Sequence, residues 1–268
     1  MSTDNRPILG VFGLGEAGTA ISTGLAAAGA LVRGYDPAPV ATPPGVERSD
    51  TPKEAVLEAT AVLTFTAEAD MVEAATQALF DLPAGALYAD LGTAAPSLKR
   101  HLAHLVEERG LAFVDVALMA PVLGKGVATP ALAAGQGAER FVALARPLGM
   151  EIEAIGAEPG LAATRKLLRS VVVKGMAALF IEAMRAGEAS GCGEWLWDHL
   201  CAQVEAADAG FVRRIVESNA RHGARRTDEM HASSRLLEEL GVEPMMTSST
   251  AEVLASIAAL GVPTLPGG

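Results

Sequence analysis

The feature that most constrains this chain is a short apolar run, Ile8 to Phe12, that breaks into Gly13-Leu14-Gly15-Glu16-Ala17-Gly18 and continues as an alanine-rich stretch to Ala28. A run this short and apolar suits a strand buried on both faces. The stretch from Ala17 to Ala28 is helical and closes on Gly29, where glycine supplies a left-handed cap. Passing from strand to helix in so few residues demands a tight turn, which Gly13 permits. Gly15 then lets a ligand's phosphates approach the backbone, and Gly18 lets the helix pack close to the strand. Free N–H groups and the positive end of the helix dipole face the same point. Gly13, Leu14, Gly15, Glu16, Ala17 and Gly18 are therefore expected to hold the pyrophosphate of a dinucleotide.

The same rhythm of short apolar run, turn and helix repeats as far as Val116. Strands are expected at Ile8 to Phe12, Leu31 to Tyr35, Val62 to Phe65, Ala86 to Ala89 and Ala112 to Val116, with weaker ones at Ala131 to Ala134 and Glu151 to Ile155. A further helix is expected over Pro96 to Arg109, ending at Gly110. This alternation predicts a parallel sheet with crossover helices. After Gly156-Ala157-Glu158-Pro159-Gly160 no strand pattern returns. Helices are expected over Leu161 to about Ala189, Glu194 to Ala207, Phe211 to Ala220, Arg225 to Leu240 and Ser248 to Leu260. The expected fold is α/β: an N-terminal Rossmann domain, a doubly wound parallel sheet over residues 1–158, followed by a smaller all-α domain over 159–268 that serves substrate binding and dimerisation.

Asp36 ends the second strand 36 − 18 = 18 residues after Gly18, close to the spacing of about 20 at which a carboxylate accepts from the adenosine ribose hydroxyls. A carboxylate there repels the extra phosphate of NADP, so NAD is preferred, with NADP left open because Arg33 lies close in sequence. Ligands lie beyond the C-terminal ends of such strands, which adds Thr66, Ala67 and Thr93 to the expected crevice. The net charge of −11 argues against nucleic acid and anionic membrane surfaces. No stretch is apolar enough to span a bilayer, and MSTDNRP lacks the basic-then-apolar order of an export leader. The cysteines, Cys192 and Cys201, show neither metal spacing nor a disulfide framework, as suits the cytoplasm. No histidine shows metal spacing, and no metal is expected.

GLGEAGTAISTGLAAAG resembles the GLGxMGxxxAxxLxxxG opening of the β-hydroxyacid dehydrogenases. DLGTAAP looks like that family's serine/threonine turn, FVDVALMAPVLGKG like an expanded form of its DAPVSGG substrate loop, and GLAATRKLLRS like its GxxxxxKxxNN catalytic helix. The chain is most similar to a subgroup of 6-phosphogluconate-dehydrogenase-like proteins with a short helical C-terminal domain. The resemblance makes Lys166 the catalytic lysine, which assists proton transfer at the substrate hydroxyl while hydride passes to the nicotinamide. It places Leu123, Gly124 and Lys125 where the family receives a substrate carboxylate, with Leu123 at the family's serine position and Ser170 at its usual asparagine. Arg169 beside it could hold an anionic group through a bidentate contact.

These readings predict an NAD(P)-dependent oxidoreductase acting on a small, anionic β-hydroxy acid or related alcohol. Two alternatives stand beside it: a dinucleotide-binding or sensing protein without catalysis, and an imine reductase on the same fold, which places a different residue at the lysine position. A helical domain of about 110 residues that is rich in alanine is expected to bury its apolar faces against a second copy, giving a homodimer.

Overall fold

The computed structural model describes residues 6–267. Met1 to Asn5, most of the segment in which no export leader is read, lie outside the described residues. The strands are β1 (Ile8–Phe12), β2 (Leu31–Tyr35), β3 (Val46–Arg48), β4 (Ala61–Thr64), β5 (Leu87–Asp90), β6 (Ala112–Leu118), β7 (Ala131–Ala134) and β8 (Ile152–Ala154). They form one eight-stranded sheet in the order β3-β2-β1-β4-β5-β6-β7-β8. Every pairing is parallel except that of β6 with β7. The order reverses between β1 and β4, which opens the crevice of a doubly wound sheet there.

The connecting helices are α1 (Glu16–Ala27), α2 (Pro52–Val56), α3 (Met71–Asp81), α4 (Pro96–Glu107) and α5 (Ala138–Ala145). Successive residues of each strand point to opposite faces, and two buried clusters result. Leu9, Val11, Leu63, Ala89 and Val114 pack with Ile21 and Leu25 of α1 and Phe141 of α5. Phe12, Val62, Tyr88 and Phe113 pack with Met71 of α3 and Leu102 of α4. The parallel registers align Tyr35, Phe12, Thr64, Asp90 and Asp115 in one row across β2, β1, β4, β5 and β6. This row is the crest of the sheet, and the loops that leave it carry Asp36, Gly13, Phe65-Thr66 and Leu91-Gly92-Thr93.

The remaining helices are α6 (Leu161–Ser190), α7 (Gly193–Glu205), α8 (Phe211–Glu239) and α9 (Met245–Leu260). The chain divides into two compact units between Arg169 and Ser170, inside α6, whereas the strand rhythm stops at residue 158. Two expectations need correction. Strand β3 is a three-residue edge strand with one buried position, too short to register as a pattern. The helices expected at Phe211 to Ala220 and Arg225 to Leu240 are one helix, α8. Gly223 lies buried inside it, where a Cβ would sit 3.5 Å from the Leu254 carbonyl oxygen and 3.7 Å from Ile257 of α9, at ordinary contact distances.

In this second unit the buried Glu182 of α6 accepts from the N–H groups of Met246 at 2.7 Å and Thr247 at 2.8 Å, and from the Thr247 hydroxyl at 2.6 Å. It thereby satisfies the otherwise orphaned donors at the start of α9. Burial pushes its carboxyl up, but the Thr247 hydroxyl and the Met245 to Thr247 amides outweigh burial and hold it below the ordinary carboxylate value. Among the described residues no helix is long and apolar enough to cross a membrane.

Candidate functional site

The glycine turn follows β1 as its sequence demands. A Cβ on Gly18 would lie 1.9 Å from the Gly13 carbonyl oxygen, and one on Gly13 would lie 2.7 Å from that of Phe65. Both positions are closed to any side chain by the protein itself. Gly15 is different: nothing lies within 4 Å of the place its Cβ would occupy. The fold leaves open space at the N-terminus of α1, where a phosphate gains most from backbone N–H groups.

Gly13 and Gly15 line a crevice of about 340 Å³ together with Tyr35, Asp36, Thr66 and Ala67. The Asp36 carboxylate accepts from the Leu14 N–H at 2.7 Å through Oδ2 and from the Ala38 N–H at 2.9 Å through Oδ1. It is thus locked at the lip of the crevice with lone pairs to spare for ribose hydroxyls. The Thr66 hydroxyl is buried and, among the described residues, finds no hydrogen-bond partner, so a ligand in the crevice would complete it. Thr93 is exposed and adjoins Gly92, whose Cβ would stand 2.7 Å from the Thr66 carbonyl oxygen. Leu14 and Gly18 are buried, Ala17 is half-buried, and Glu16 is exposed in the first turn of α1. Arg33 bonds the Leu57 carbonyl and lies 3.7 Å from Glu47, and it is not among the residues lining the crevice. An open cradle, an ordered carboxylate and an unsatisfied hydroxyl fit a dinucleotide.

Further along the same crest, on β5 and β6, lies a buried charge cluster. Lys99 of α4, Asp90 and Asp115 are each at most 1% exposed. The Lys99 ammonium bonds the Asp90 carboxylate and donates to the carbonyls of Asp90 at 3.2 Å and Gly92 at 2.9 Å. It stands 3.5 Å from Asp115 Oδ1. Thr64 donates to Asp90 Oδ2 at 2.7 Å. Asp115 Oδ2 accepts the N–H groups of Gly160 at 3.1 Å and Ala163 at 3.0 Å, at the start of α6. Burial, with the Asp90 charge beside it, pushes the Tyr88 phenol up, so it stays protonated.

Lys166 and Arg169 follow on α6, Lys166 half-buried and Arg169 exposed, with Ser170 half-buried after them. Leu123, Gly124 and Lys125 are exposed on the β6–β7 connection and do not line the crevice described above. That connection is pinned beside them, since a Cβ on Gly24 of α1 would lie 2.4 Å from Val127. Among the described residues no cluster of histidine, cysteine, aspartate and glutamate could hold a metal.

Residues 8–145 match the family described as the NAD binding domain of 6-phosphogluconate dehydrogenase. The chain belongs to that family. Residues 188–257 match a domain family of unknown function, DUF1932. A protein of Mycobacterium tuberculosis described as a probable 3-hydroxyisobutyrate dehydrogenase is 33% identical over 141 residues, which are 51% of this chain and 48% of that protein. The chain thus spans about half the length of the curated relatives it matches. A conserved hypothetical protein of Sinorhizobium meliloti is similar in structure, with a TM-score of 0.60 and 29% identity over 95% of this chain and 89% of that one. An imine reductase of Myxococcus stipitatus, solved with NADP+, shares the fold at a TM-score of 0.78 and 19% identity, over 95% of both chains.

The chain thus carries a nicotinamide-dinucleotide-binding domain, and Asp36, Thr66 and Ala67 line the crevice beside its glycine turn. The residues missed from sequence are Lys99, Asp90 and Asp115. A signal existed for the first: Lys99 shares one helical stripe with Leu102, Ala103 and Val106, all buried on α4, and a lysine in an apolar stripe marks a buried charge with a partner.

Proposed function

We propose that this member of the 6-phosphogluconate dehydrogenase NAD-binding family is an oxidoreductase that interconverts a small anionic β-hydroxy acid, or related alcohol, with its carbonyl form. When bound, the dinucleotide supplies a hydride acceptor for the carbinol carbon, or a donor in the reverse direction. Lys166 takes the proton from the substrate hydroxyl as the carbonyl forms and returns it to that oxygen on reduction. Arg169 offers a planar fork to the substrate's carboxylate or phosphate, the Ser170 hydroxyl follows on the same helix, and the Leu123 to Lys125 backbone supplies N–H donors to the same group. The observation that carries this reading is that the helix bearing Lys166 begins on the crest row that also carries the dinucleotide turn. The relative named for 3-hydroxyisobutyrate supports the substrate class. NAD is favoured over NADP because Asp36, Asp70 and Glu73 line the crevice and repel an added phosphate. The test follows reduced nicotinamide by absorbance, with NAD and NADP, across β-hydroxy acids, phosphorylated sugar acids and simple alcohols, for wild type and Lys166→Ala. Turnover lost in the variant is expected. Retained turnover overturns the role of Lys166, and dinucleotide binding without turnover of any of these substrates favours a sensor.

The working form is a homodimer. Val171, Val172 and Val173 are 72%, 60% and 47% exposed, and at 100° per residue they cover about 200° of the helix circumference. Leu179, Phe180 and Ile181 repeat this two turns on. Phe180 also borders an apolar groove lined by Met184, Trp197, Leu200 and Val204. One chain offers both ridge and groove, which is what a self-complementary two-fold interface requires. Sedimentation should give twice the chain mass; a monomer at micromolar concentration would count against it. Both cysteines are free thiols, in keeping with a cytoplasmic setting.

A further inference from the structure

We propose that Asp115 is a positioning residue for Lys166, an inference that rests on the catalytic reading of Lys166 given above. A helix leaves its first N–H groups without intrahelical partners, and a local serine or aspartate usually accepts from them. Helix α6 has no such residue. It is preceded by Gly160, at φ 95 and with the place of a Cβ only 3.0 Å from the Pro96 carbonyl oxygen, so no side chain fits there. The acceptor comes instead from the sheet, through the single oxygen Oδ2 of Asp115.

The other oxygen of that carboxylate faces the Lys99 ammonium. Lys99 is itself held by the Asp90 carboxylate and the Asp90 and Gly92 carbonyls, and Asp90 is held by Thr64. The Asp115 carboxylate therefore has one orientation, with Oδ2 toward α6. A buried ion pair adds little stability compared with apolar packing, yet breaking it on one side is costly, so its contribution is geometry. Lys166 lies three residues beyond Ala163, about 4.5 Å further along a rigid helix, and a shift of the first turn reaches it undiminished. Gly92, which helps to hold Lys99, also abuts the Thr66 loop of the dinucleotide crevice. One network thus registers the lysine and the cofactor to the same row of the sheet.

The test uses the full chain with Asp115→Ala and Asp115→Asn. NADH affinity is read by fluorescence. The environment of Lys166 is read by its labelling with trinitrobenzenesulfonate, quantified by peptide mass spectrometry against the exposed Lys125, and the first turn of α6 by amide exchange at Ala163. In Asp115→Ala, NADH binding should stay within about 2-fold, while Ala163 exchange and Lys166 labelling relative to Lys125 each rise by about 5-fold or more, as local opening becomes easier. Turnover should fall by about 10- to 100-fold, the usual loss for a misplaced group, with the KM for dinucleotide little changed. Asp115→Asn keeps an acceptor oxygen and should recover most of each readout; it carries the same test should the alanine variant not fold. Unchanged Lys166 labelling alongside faster Ala163 exchange overturns the proposal, as does loss of NADH binding in step with labelling in Asp115→Asn. Retained turnover in Lys166→Ala would instead remove the catalytic reading and leave labelling and exchange to decide the anchor.

Discussion

Replacing Gly15 by alanine should separate binding from folding in a way that replacing Gly18 cannot. The Gly15 backbone is extended, at φ −65, and nothing stands within 4 Å of the new methyl group. Stability should therefore hold within about 0.5 kcal/mol, the range of substitutions that disturb no contact. The methyl group does fill the space through which the backbone approaches the pyrophosphate. Losing one hydrogen bond to a charged group costs about 1.5 to 3 kcal/mol, so the dissociation constant for NADH should rise about 10- to 100-fold at 1.4 kcal/mol per factor of ten. At Gly18 the new methyl group meets the Gly13 carbonyl oxygen at 1.9 Å, and backbone must move. Overpacking of this kind costs about 1 to 3 kcal/mol, and for a unit of this size the melting temperature should fall by roughly 2 to 4 °C per kcal/mol. NADH fluorescence titration and thermal melting of both variants decide the matter. Wild-type NADH affinity in Gly15→Ala would show that the pyrophosphate does not lie on this turn. A melting temperature as low as that of Gly18→Ala would show that the space is not free.

Asp36→Ser should weaken NAD by about 10-fold, the lower end for a hydrogen bond to a charged group, while leaving NADP unaffected or improved; equal losses in isothermal titration would mean that Asp36 serves only to shape its loop. Glu182, whose carboxyl is held low in the folded chain, contributes stability that is complete above its unfolded pKa of about 4.3 and is lost as pH falls through that value to the folded one. The urea midpoint of the helical unit should drop between pH 5 and pH 3 in wild type and more shallowly in Glu182→Gln; parallel curves refute the assignment. Val172→Asp, placed on the apolar ridge of α6, should shift sedimentation toward the monomer with little change in the helical signal, and an unaltered sedimentation coefficient would exclude that ridge from the interface.

The Rossmann unit is legible because its constraints are local. The turn from Gly13 to Gly18 must be glycine where backbone meets backbone, and β1, β2 and β7 fall where short apolar runs place them. Legibility fails where a residue answers to something distant. The break expected between Ala220 and Arg225 does not occur, and α8 runs through it, packed along α9. Asp90 falls just past the strand expected at Ala86 to Ala89, and its role depends on Thr64 and Asp115, which are far apart in sequence and meet it only through the register of β4, β5 and β6, and on Lys99 of α4. Periodicity reports which face a side chain takes, not which distant charge it will find there.

The β6–β7 connection has a consequence for how such a protein changes. Val122 and Thr129 are buried at its two ends, and Thr129 donates to the Gly126 carbonyl at 2.7 Å. Between them Leu123, Gly124 and Lys125 stand in solvent, Gly124 at φ 79. The segment is a clamp with a free tip, so selection can rewrite Leu123 and Lys125 at almost no cost in folding while the jaws stay closed. A laboratory library at those two positions, with Gly124 kept, should return folded, dinucleotide-binding protein in nearly every clone, and so lets new specificities be sought without first purchasing stability.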